Sequence, residues 1–428
     1  MTTLTPTSYL DRFQAEYPFP LDTFQIEAIT ALSAGRSVLV AAPTGTGKTV
    51  VAEFAVRQAL ERGQRAFYTT PIKALSNQKF RDFKATFGED RVGLMTGDLV
   101  ENPDAPVVVM TTEILRNRLV SDPEGLERSG AGLRDVDCVI FDEVHYLADP
   151  ERGTAWEEAI LLAPKSIQFV CLSATVSNAD QIAQWLRATD RAVDLIFHAE
   201  RAVPLEHFYF LDDEIHAILD TEGRRLKSFR GIGGELLPGN RFGGRSRRNR
   251  ARPEPRPWEI VQALQRAKLL PGIYFVFSRR LVEESALDCV RLRLVNPAGA
   301  AKIRARLDER LAELSPEDRA IGQVQRLLDL LPRGIGFHHA GMIPILKILV
   351  EELFAEGLLK VCFATDTLSL GINMPAKSVV VGELTKFDGE SRRLLLPNEY
   401  RQLTGRAGRR GIDKRGVAVV PYSPWVPF

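Results

Sequence analysis

Residues 42–49, Ala-Pro-Thr-Gly-Thr-Gly-Lys-Thr, constrain this chain more than any other stretch. They fit the pattern G-x-x-x-x-G-K-[ST], with Ala42 in place of the first Gly. The apolar run 37–42 ahead of them is short enough for a buried strand, and residues 49–60 after them carry apolar side chains at helical spacing, with Gly63 just beyond. A strand, a glycine loop and a helix in that order predict a phosphate-binding loop. Gly45 and Gly47 let the backbone curl so that successive N–H groups and a helix N-terminus face an anion. Pro43, Thr44, Gly45, Thr46 and Gly47 then line the phosphates of ATP. Lys48 reaches the β and γ phosphates, and the Thr49 hydroxyl joins a Mg2+ shell. An ordinary Gly-rich turn is the competing reading.

A chain of 428 residues exceeds what one core holds and predicts two or three domains. With 45% hydrophobic and 26% charged residues, it has the composition of a water-soluble globular protein. The net charge of +1 gives no global sign of a polyanion partner, so any such sign has to be local. Four scattered cysteines without a CxxC pair favour neither a zinc site nor a disulfide framework, and they predict a reducing compartment. The N-terminus lacks a basic start followed by an apolar segment, and no apolar run is long enough to cross a bilayer. A cytoplasmic protein without a membrane partner is expected.

Just upstream of the first strand lie Phe19 and Gln25. Gln25 carries both a donor and an acceptor, as reading an adenine edge requires, and Phe19 is placed to stack on the base. The alternative is an amphipathic helix with Phe24, Ile26 and Ile29 in the core. Short apolar runs at 66–70, 107–111, 138–141 and 167–172 then alternate with helical patterns at 73–87, 113–120 and 180–187. This rhythm predicts an α/β fold with a parallel sheet covered on both faces, where function gathers at the carboxyl ends of strands. Four such ends are polar: Thr70-Pro71, Thr111-Thr112, Asp142-Glu143 with His145, and Ser173-Ala174-Thr175. A carboxylate at the tip of an apolar strand suits Asp142 to hold Mg2+. Glu143 then sits where it orients and deprotonates the attacking water, and His145 couples the nucleotide to Ser173, Ala174 and Thr175. A helix cap or a solvated turn is the plainer reading of the acidic pair.

From residue 224 to 256 the composition changes, with eleven Arg or Lys against two acids and many Gly and Pro. A disordered insert is expected there, either a solvated linker or a basic strap for a phosphate backbone. A second alternating unit follows, with strands at 273–277, 361–364 and 379–381 and one charged helical stretch over 301–331. Asp388-Gly389 between two flanks predicts a tight hairpin. The last stretch, 400–411, is rich in Arg and Gly. Arg406 and Arg409, three apart on an expected helix, share a face and suit a pair of arginine fingers acting on the γ-phosphate. Gly405, Gly408 and Gly411 suggest close backbone approach, against the alternative of a solvated basic face.

The ordered set PFPLDTFQ, APTGTGKT, TPIKALSNQ, TGD, TTEILRN, DEVH, SAT, FVFSRR, FHHAG, ATDTLSLGINMPA and QLTGRAGRRG resembles a superfamily 2 DExH-box helicase. The longer phrases VIFDEVHYLAD, FHHAGMIP and EYRQLTGRAGRRGID are similar to its superkiller branch, which includes exosome-associated RNA helicases. The match covers residues 19–420. The resemblance implies two tandem RecA-like domains, 1–202 and 203–428, each a mostly parallel sheet with helices on both faces and an ATP cleft between them, the second holding the insert at 224–257. It implies Glu143 as catalytic base, Lys48, Arg406 and Arg409 as partners of the γ-phosphate, Gly371 at the ATP site and Gln402 among the coupling residues. Nucleic-acid contacts carry over onto Thr70, Pro71, Lys73, Thr96, Gly97, Thr111, Thr112, Ser278, Arg279 and Thr365. These are mainly sugar-phosphate contacts, which position without reading sequence.

Residues 387–390 match the place of a strand-separating pin in related enzymes. The implied activity is ATP-driven 3′ to 5′ movement on single-stranded RNA with duplex unwinding, by a monomer serving RNA-degradation machinery. A DNA helicase of the same branch and a nucleic-acid-binding ATP switch stay open as alternatives. Family members usually continue into a winged-helix domain and a helical ratchet bundle, so a catalytic-core fragment is expected, with unwinding by this chain alone left open.

Overall fold

The computed structural model describes residues 6–121, 133, 135–149, 152–176, 178–219, 224, 253–369, 374, 376–387 and 389–423. Most of the expected insert, Gly371 and Asp388 lie outside the described residues. The chain divides into two compact units, Met1–Glu200 and Arg201–Phe428.

In the first unit the order is α1 (Pro6–Ala15), α2 (Thr23–Ser33), β1 (Ser37–Ala41), α3 (Thr49–Glu61), β2 (Arg65–Thr70), α4 (Lys73–Phe87), β3 (Val92–Met95), β4 (Val100–Glu101), β5 (Val107–Thr111), α5 (Thr112–Ser121), β6 (Val136–Phe141), α6 (Gly153–Leu162), β7 (Gln168–Ser173), α7 (Ala179–Ala188) and β8 (Val193–Phe197). One sheet runs β4-β3-β5-β2-β6-β7-β1-β8. Every pair in it is parallel except the β3–β4 edge. Alternation along the strands splits the core in two. Val38 and Val40 pack with Phe24, Phe54 and Phe83 of α2, α3 and α4. Leu39 points the other way, into a cluster with Leu115, Trp156 and Leu186 of α5, α6 and α7. Helices therefore cover both faces. On α2, Phe24 and Ile29 are buried as the amphipathic reading has it, whereas Ile26 is exposed.

The second unit continues with β9 (Leu205–Leu211), β10 (Glu214–Leu219), α8 (Pro257–Arg266), β11 (Gly272–Phe275), α9 (Arg279–Asp288), α10 (Pro297–Ala312), α11 (Pro316–Ala320), α12 (Gly322–Leu330), β12 (Ile335–His338), α13 (Pro344–Ala355), β13 (Val361–Ala364), β14 (Ser378–Val381), β15 (Thr385–Phe387), β16 (Arg392–Leu394), α14 (Pro397–Thr404) and β17 (Gly416–Pro421). Its main sheet runs β10-β9-β17-β14-β11-β13-β12, parallel except for the β9–β10 hairpin. The two large, mostly parallel sheets are those of tandem RecA-like domains. A hairpin is present as β15–β16, but with Phe387 opposite Arg392 the connection is residues 388–391, longer than the tight two-residue turn expected at Asp388-Gly389.

The helical stretch expected over 301–331 is three helices. Ser315 accepts a hydrogen bond from the Asp318 amide at 3.0 Å, and Pro316 follows it, so a new helix begins where the charge pattern runs on unbroken. Among the described residues no helix is long and apolar enough to cross a membrane.

Gly416, the first residue of β17, abuts the turn that carries the expected arginine fingers. A Cβ there would lie 2.4 Å from the Ala407 carbonyl oxygen and 2.8 Å from the Gly408 nitrogen. Backbone cannot yield as a flexible side chain does. Gly416→Ala is expected to destabilise the second unit by about 1–3 kcal/mol, the usual cost of overpacking. Urea unfolding followed by hydrogen exchange on β14 and β17 measures this, and an unchanged midpoint contradicts the packing described.

Candidate functional site

The glycine loop joins the carboxyl end of β1 to α3, with Gly45 at φ 81° and Gly47 at φ 88°, where a side chain would be strained. Within it, Thr46 Oγ1 donates to the Pro43 carbonyl at 2.8 Å. Lys48 Nζ donates to the Ala42 and Pro43 carbonyls at 2.7 and 3.2 Å. Burial pushes the pKa of Lys48 below its ordinary value, against the nearby charges of Glu143 and Asp142. Gln25 is 1% exposed, and its amide is engaged on the loop itself. Its Nε2 donates to the Gly47 carbonyl at 2.9 Å while its Oε1 accepts from the Asp22 amide at 2.8 Å. The carboxamide thus fastens α2 to the loop. Phe19 stands 42% exposed, its ring 5.4 Å from that of Tyr17. Thr44 and Gly45 are exposed, and Thr49 opens α3.

Asp142 and Glu143 follow β6 directly. The Asp142 amide donates to the Thr69 carbonyl at 3.0 Å, fixing the strand tip. Its carboxylate accepts from Tyr68 Oη at 2.6 Å and from the Glu143 amide at 3.0 Å. Burial, then the charge of Glu143, raises the pKa of Asp142, while Lys79, Tyr68 and Lys48 pull it back. Glu143 has φ 59° and ψ 44°, a left-handed conformation rare for a residue with a side chain. His145 Nδ1 lies 3.4 Å from Glu143 Oε2, and burial holds this imidazole below its ordinary pKa, hence neutral. His145 Nδ1 and Ser173 Oγ are buried without a hydrogen-bond partner among the described residues. Both belong to the expected coupling set. The Ser173 carbonyl accepts from the Ala42 amide at 3.2 Å, which places Ser173 and the following Ala174 and Thr175 beside the glycine loop.

The expected nucleic-acid residues of this unit gather at neighbouring strand ends. Thr70 and Thr111 are in register across β2 and β5, and Thr112 Oγ1 donates to the Thr70 carbonyl at 3.4 Å. Thr70 Oγ1 is engaged with Ser76 Oγ at 2.6 Å, and the Pro71 carbonyl accepts from Arg152 Nη1 at 2.7 Å. Lys73 Nζ, half exposed, reaches Asp98 Oδ2 at 2.5 Å beside Gly97, while Thr96 closes a turn onto Leu99. The threonine side chains are buried, so Lys73 and the backbone are what this edge offers a ligand.

In the second unit, Ser278, Arg279, His339 to Gly341 and Thr365 lie at the ends of the adjacent strands β11, β12 and β13. Arg279 is exposed, with Gly341 packed close against its side chain. His339 Nδ1 accepts from the Gly341 amide at 3.2 Å and its Nε2 faces Glu283 Oε1 at 3.0 Å, so the proton sits on Nε2 and the loop is fixed.

Arg406 and Arg409 correct an expectation. Helix α14 ends at Thr404, and both arginines belong to the turn beyond it, separated by Gly408 at φ 92°. No shared helical face brings them together, because the helix has already ended before Arg406 and the positive φ of Gly408 turns the chain between the two arginines. Arg201 Nη2 holds this turn through the Ala407 carbonyl at 2.7 Å, and Arg409 is gripped by Asp413 at 2.7 and 2.9 Å. Arg406 is 6% exposed. Gln402 is half-buried on α14, and Gly371 lies outside the described residues.

Sequence reasoning missed Tyr68 and Lys79. Tyr68 reads as one more core aromatic in a strand. Lys79, mid-helix in α4, donates to Thr49 Oγ1 at 3.1 Å with its ammonium 5.7 Å from the Tyr68 ring centroid. Only the fold brings them to the loop. Asp413, four residues after Arg409, carried an (i, i+4) signal that could have found it.

Residues 22–182 match the DEAD/DEAH box helicase family, and residues 316–411 match the helicase conserved C-terminal domain. A protein described as a probable helicase HelY from Mycobacterium tuberculosis is 45% identical, over 98% of this chain and 47% of its own length. An ATP-dependent RNA helicase mtr4 from Schizosaccharomyces pombe is 43% identical, over 94% of this chain and 37% of its own. The human exosome RNA helicase MTR4 is 42% identical, over 95% and 39%. The chain spans about half the length or less of these curated relatives.

Tyr68→Phe removes a donor from a buried carboxylate and is expected to cost about 1–3 kcal/mol in the first unit. Urea unfolding read by hydrogen exchange on β2 and β6 checks it. Unaltered protection of both strands contradicts a positioning role for the hydroxyl.

Proposed function

This chain belongs to the DExH-box helicases of superfamily 2, and from that premise we propose that it is the ATP-hydrolysing core of an RNA helicase, moving 3′ to 5′ on single-stranded RNA and separating duplexes. The observation that carries this reading is the buried Asp142 with the part-buried Glu143 beside it at the tip of β6, both acting electrostatically on Lys48 of the glycine loop. Two carboxylates beside a lysine-bearing phosphate loop suit one task, handling a metal-bound triphosphate.

Lys48 Nζ exchanges the Ala42 and Pro43 carbonyls for the β and γ phosphates, and the loop amides receive the remaining phosphate oxygens. Thr49 Oγ1 and the Asp142 carboxylate are hard oxygen donors and fit Mg2+, which when bound neutralises charge building on the phosphates. Glu143 orients the attacking water and accepts its proton. Phe19 and Gln25 serve the adenine end, Gln25 through the second N–H and the second lone pair of an amide whose nitrogen already donates to Gly47 and whose oxygen already accepts from Asp22. Arg406 and Arg409 supply positive charge to the γ-phosphoryl group, for which Arg409 leaves Asp413. His145 and Ser173, each with a buried polar atom that has no hydrogen-bond partner among the described residues, carry the state of the nucleotide onward together with Ala174, Thr175 and Gln402.

RNA runs along the strand ends, held at Thr70, Pro71, Lys73, Thr96, Gly97, Thr111, Thr112, Ser278, Arg279 and Thr365. The preference for RNA over DNA, a link to RNA degradation, a monomeric state and a cytoplasmic setting are part of the same proposal. The names of the relatives from fission yeast and human support its RNA half. The basic segment at 224–257 adds salt-dependent affinity for the phosphate backbone.

ATP turnover with single-stranded RNA is expected to exceed that with single-stranded DNA of the same sequence; equal stimulation favours the DNA reading. Glu143→Gln is expected to keep binding a fluorescent ATP analogue while turnover drops by about 100-fold or more, as for a lost general base. Near-normal turnover removes Glu143 from the mechanism.

A further inference from the structure

Strands β15 and β16 are three residues each, too short to hold a hairpin in one place by themselves. They nevertheless present large apolar side chains to solvent, Phe387 at 64% and Leu394 at 60% exposure. Leu384 and Leu395, joined by a backbone hydrogen bond at 2.8 Å and packed against the core, hold its base, and charge fastens the strands themselves. Glu399, in the first turn of α14, accepts from Arg393 Nη1 at 2.7 Å and Nη2 at 2.8 Å, a two-pronged guanidinium–carboxylate pair. The same carboxylate meets Lys386 Nζ at 2.8 Å and accepts from the Leu396 amide at 2.7 Å. Lys386 and Arg393 are cross-strand partners, so one side chain grips both strands at once. Lys386 Nζ also lies 3.3 Å from Asp366 Oδ2, the neighbour of Thr365 at the end of β13. Burial pushes Glu399 upward, but bonds from Arg393, Lys386 and the Leu396 amide outweigh it and bring its pKa to about 2. The carboxylate therefore stays charged throughout the neutral range.

Three parts of the second unit meet at this point: the exposed hairpin, the Thr365–Asp366 turn, and α14, which runs straight into the turn bearing Arg406 and Arg409. We propose that Glu399 is a latch that makes the hairpin move as one body with α14 and the Thr365 turn. A shift of the arginine turn is then transmitted to the hairpin instead of being lost in a loose connection. Glu399 is a positioning residue, since it acts through Lys386 and Arg393 and touches no reacting atom. The purpose of the latch rests on the helicase reading. Its geometry does not.

Glu399→Gln in the full chain tests this, because it keeps the shape of the side chain and removes the charge. Charged hydrogen bonds of this kind contribute enough that amide exchange over 384–395 is expected to rise about tenfold or more. Any change in hairpin exchange that the wild type shows on adding a non-hydrolysable ATP analogue with RNA is expected to disappear. RNA-stimulated ATP turnover is expected to stay within about twofold while displacement of a 3′-tailed duplex falls about tenfold, a split that lost stability alone does not produce. Lys386→Met and Arg393→Met are expected to give the same split in weaker form.

Unchanged hairpin exchange in Glu399→Gln overturns the proposal. So does a loosened hairpin with turnover and strand displacement falling in equal proportion. If the wild type shows neither RNA-stimulated turnover nor displacement, the helicase reading fails, and the exchange experiment alone then decides the latch.

Discussion

A buried carboxylate, Asp142, with the part-buried Glu143 directly after it, closes a strand, and much of the first unit is built around making that tolerable. Burial and mutual repulsion both push Asp142 toward its neutral form. Opposing them are the Tyr68 hydroxyl, the Glu143 amide and the positive charges of Lys79 and Lys48. The strand tip that carries the pair is fixed by a backbone bond to β2, and the loop that carries Lys48 is fixed by Gln25 and by the Ser173 carbonyl. Charge concentrated in this way, close to phosphate-binding geometry and held by packed secondary structure, is what a site for a metal-bound triphosphate requires.

The left-handed backbone of Glu143 fits that account. A residue with a side chain stays in this region only when its surroundings over-determine it, and such residues collect at functional sites. Here the conformation lets the chain turn from β6 directly into the short helical turn containing His145. One consequence is that Asp142, Glu143 and His145 all belong to a single rigid corner. In the second unit the equivalent economy is electrostatic. Glu283 fixes the loop after β12 through His339, Glu399 fixes the hairpin, and Asp413 fixes Arg409.

Much of this was legible in the sequence, and the reasons are physical. Buried parallel strands read as short apolar runs, and glycine loops and acidic strand ends stand out against them, so the alternation of elements and the loop–carboxylate pair could be located without coordinates. The β15–β16 hairpin announced itself through Asp388-Gly389. Less legible were the edges, where β4 has two residues and carries no pattern, and the break at Ser315, where a cap interrupts a stretch that stays charged throughout. Arg406 and Arg409 were misplaced on a helix because a spacing of three suggests one, whereas α14 ends at Thr404 and Gly408, at positive φ, turns the chain between them. Tyr68 and Lys79 were invisible for a different reason. Their importance comes from what lies across the sheet from them, and nothing in their local sequence distinguishes them from core and surface residues.

Under the proposed function, Asp142 is the protein's hold on the cation that accompanies the triphosphate. Calorimetric titration of ATP into the wild type and into Asp142→Ala, each with Mg2+ and with the metal chelated, tests it directly. Mg2+ is expected to tighten ATP binding to the wild type, and this gain is expected to be lost in Asp142→Ala while metal-free binding persists. An undiminished Mg2+ dependence in the variant would contradict it.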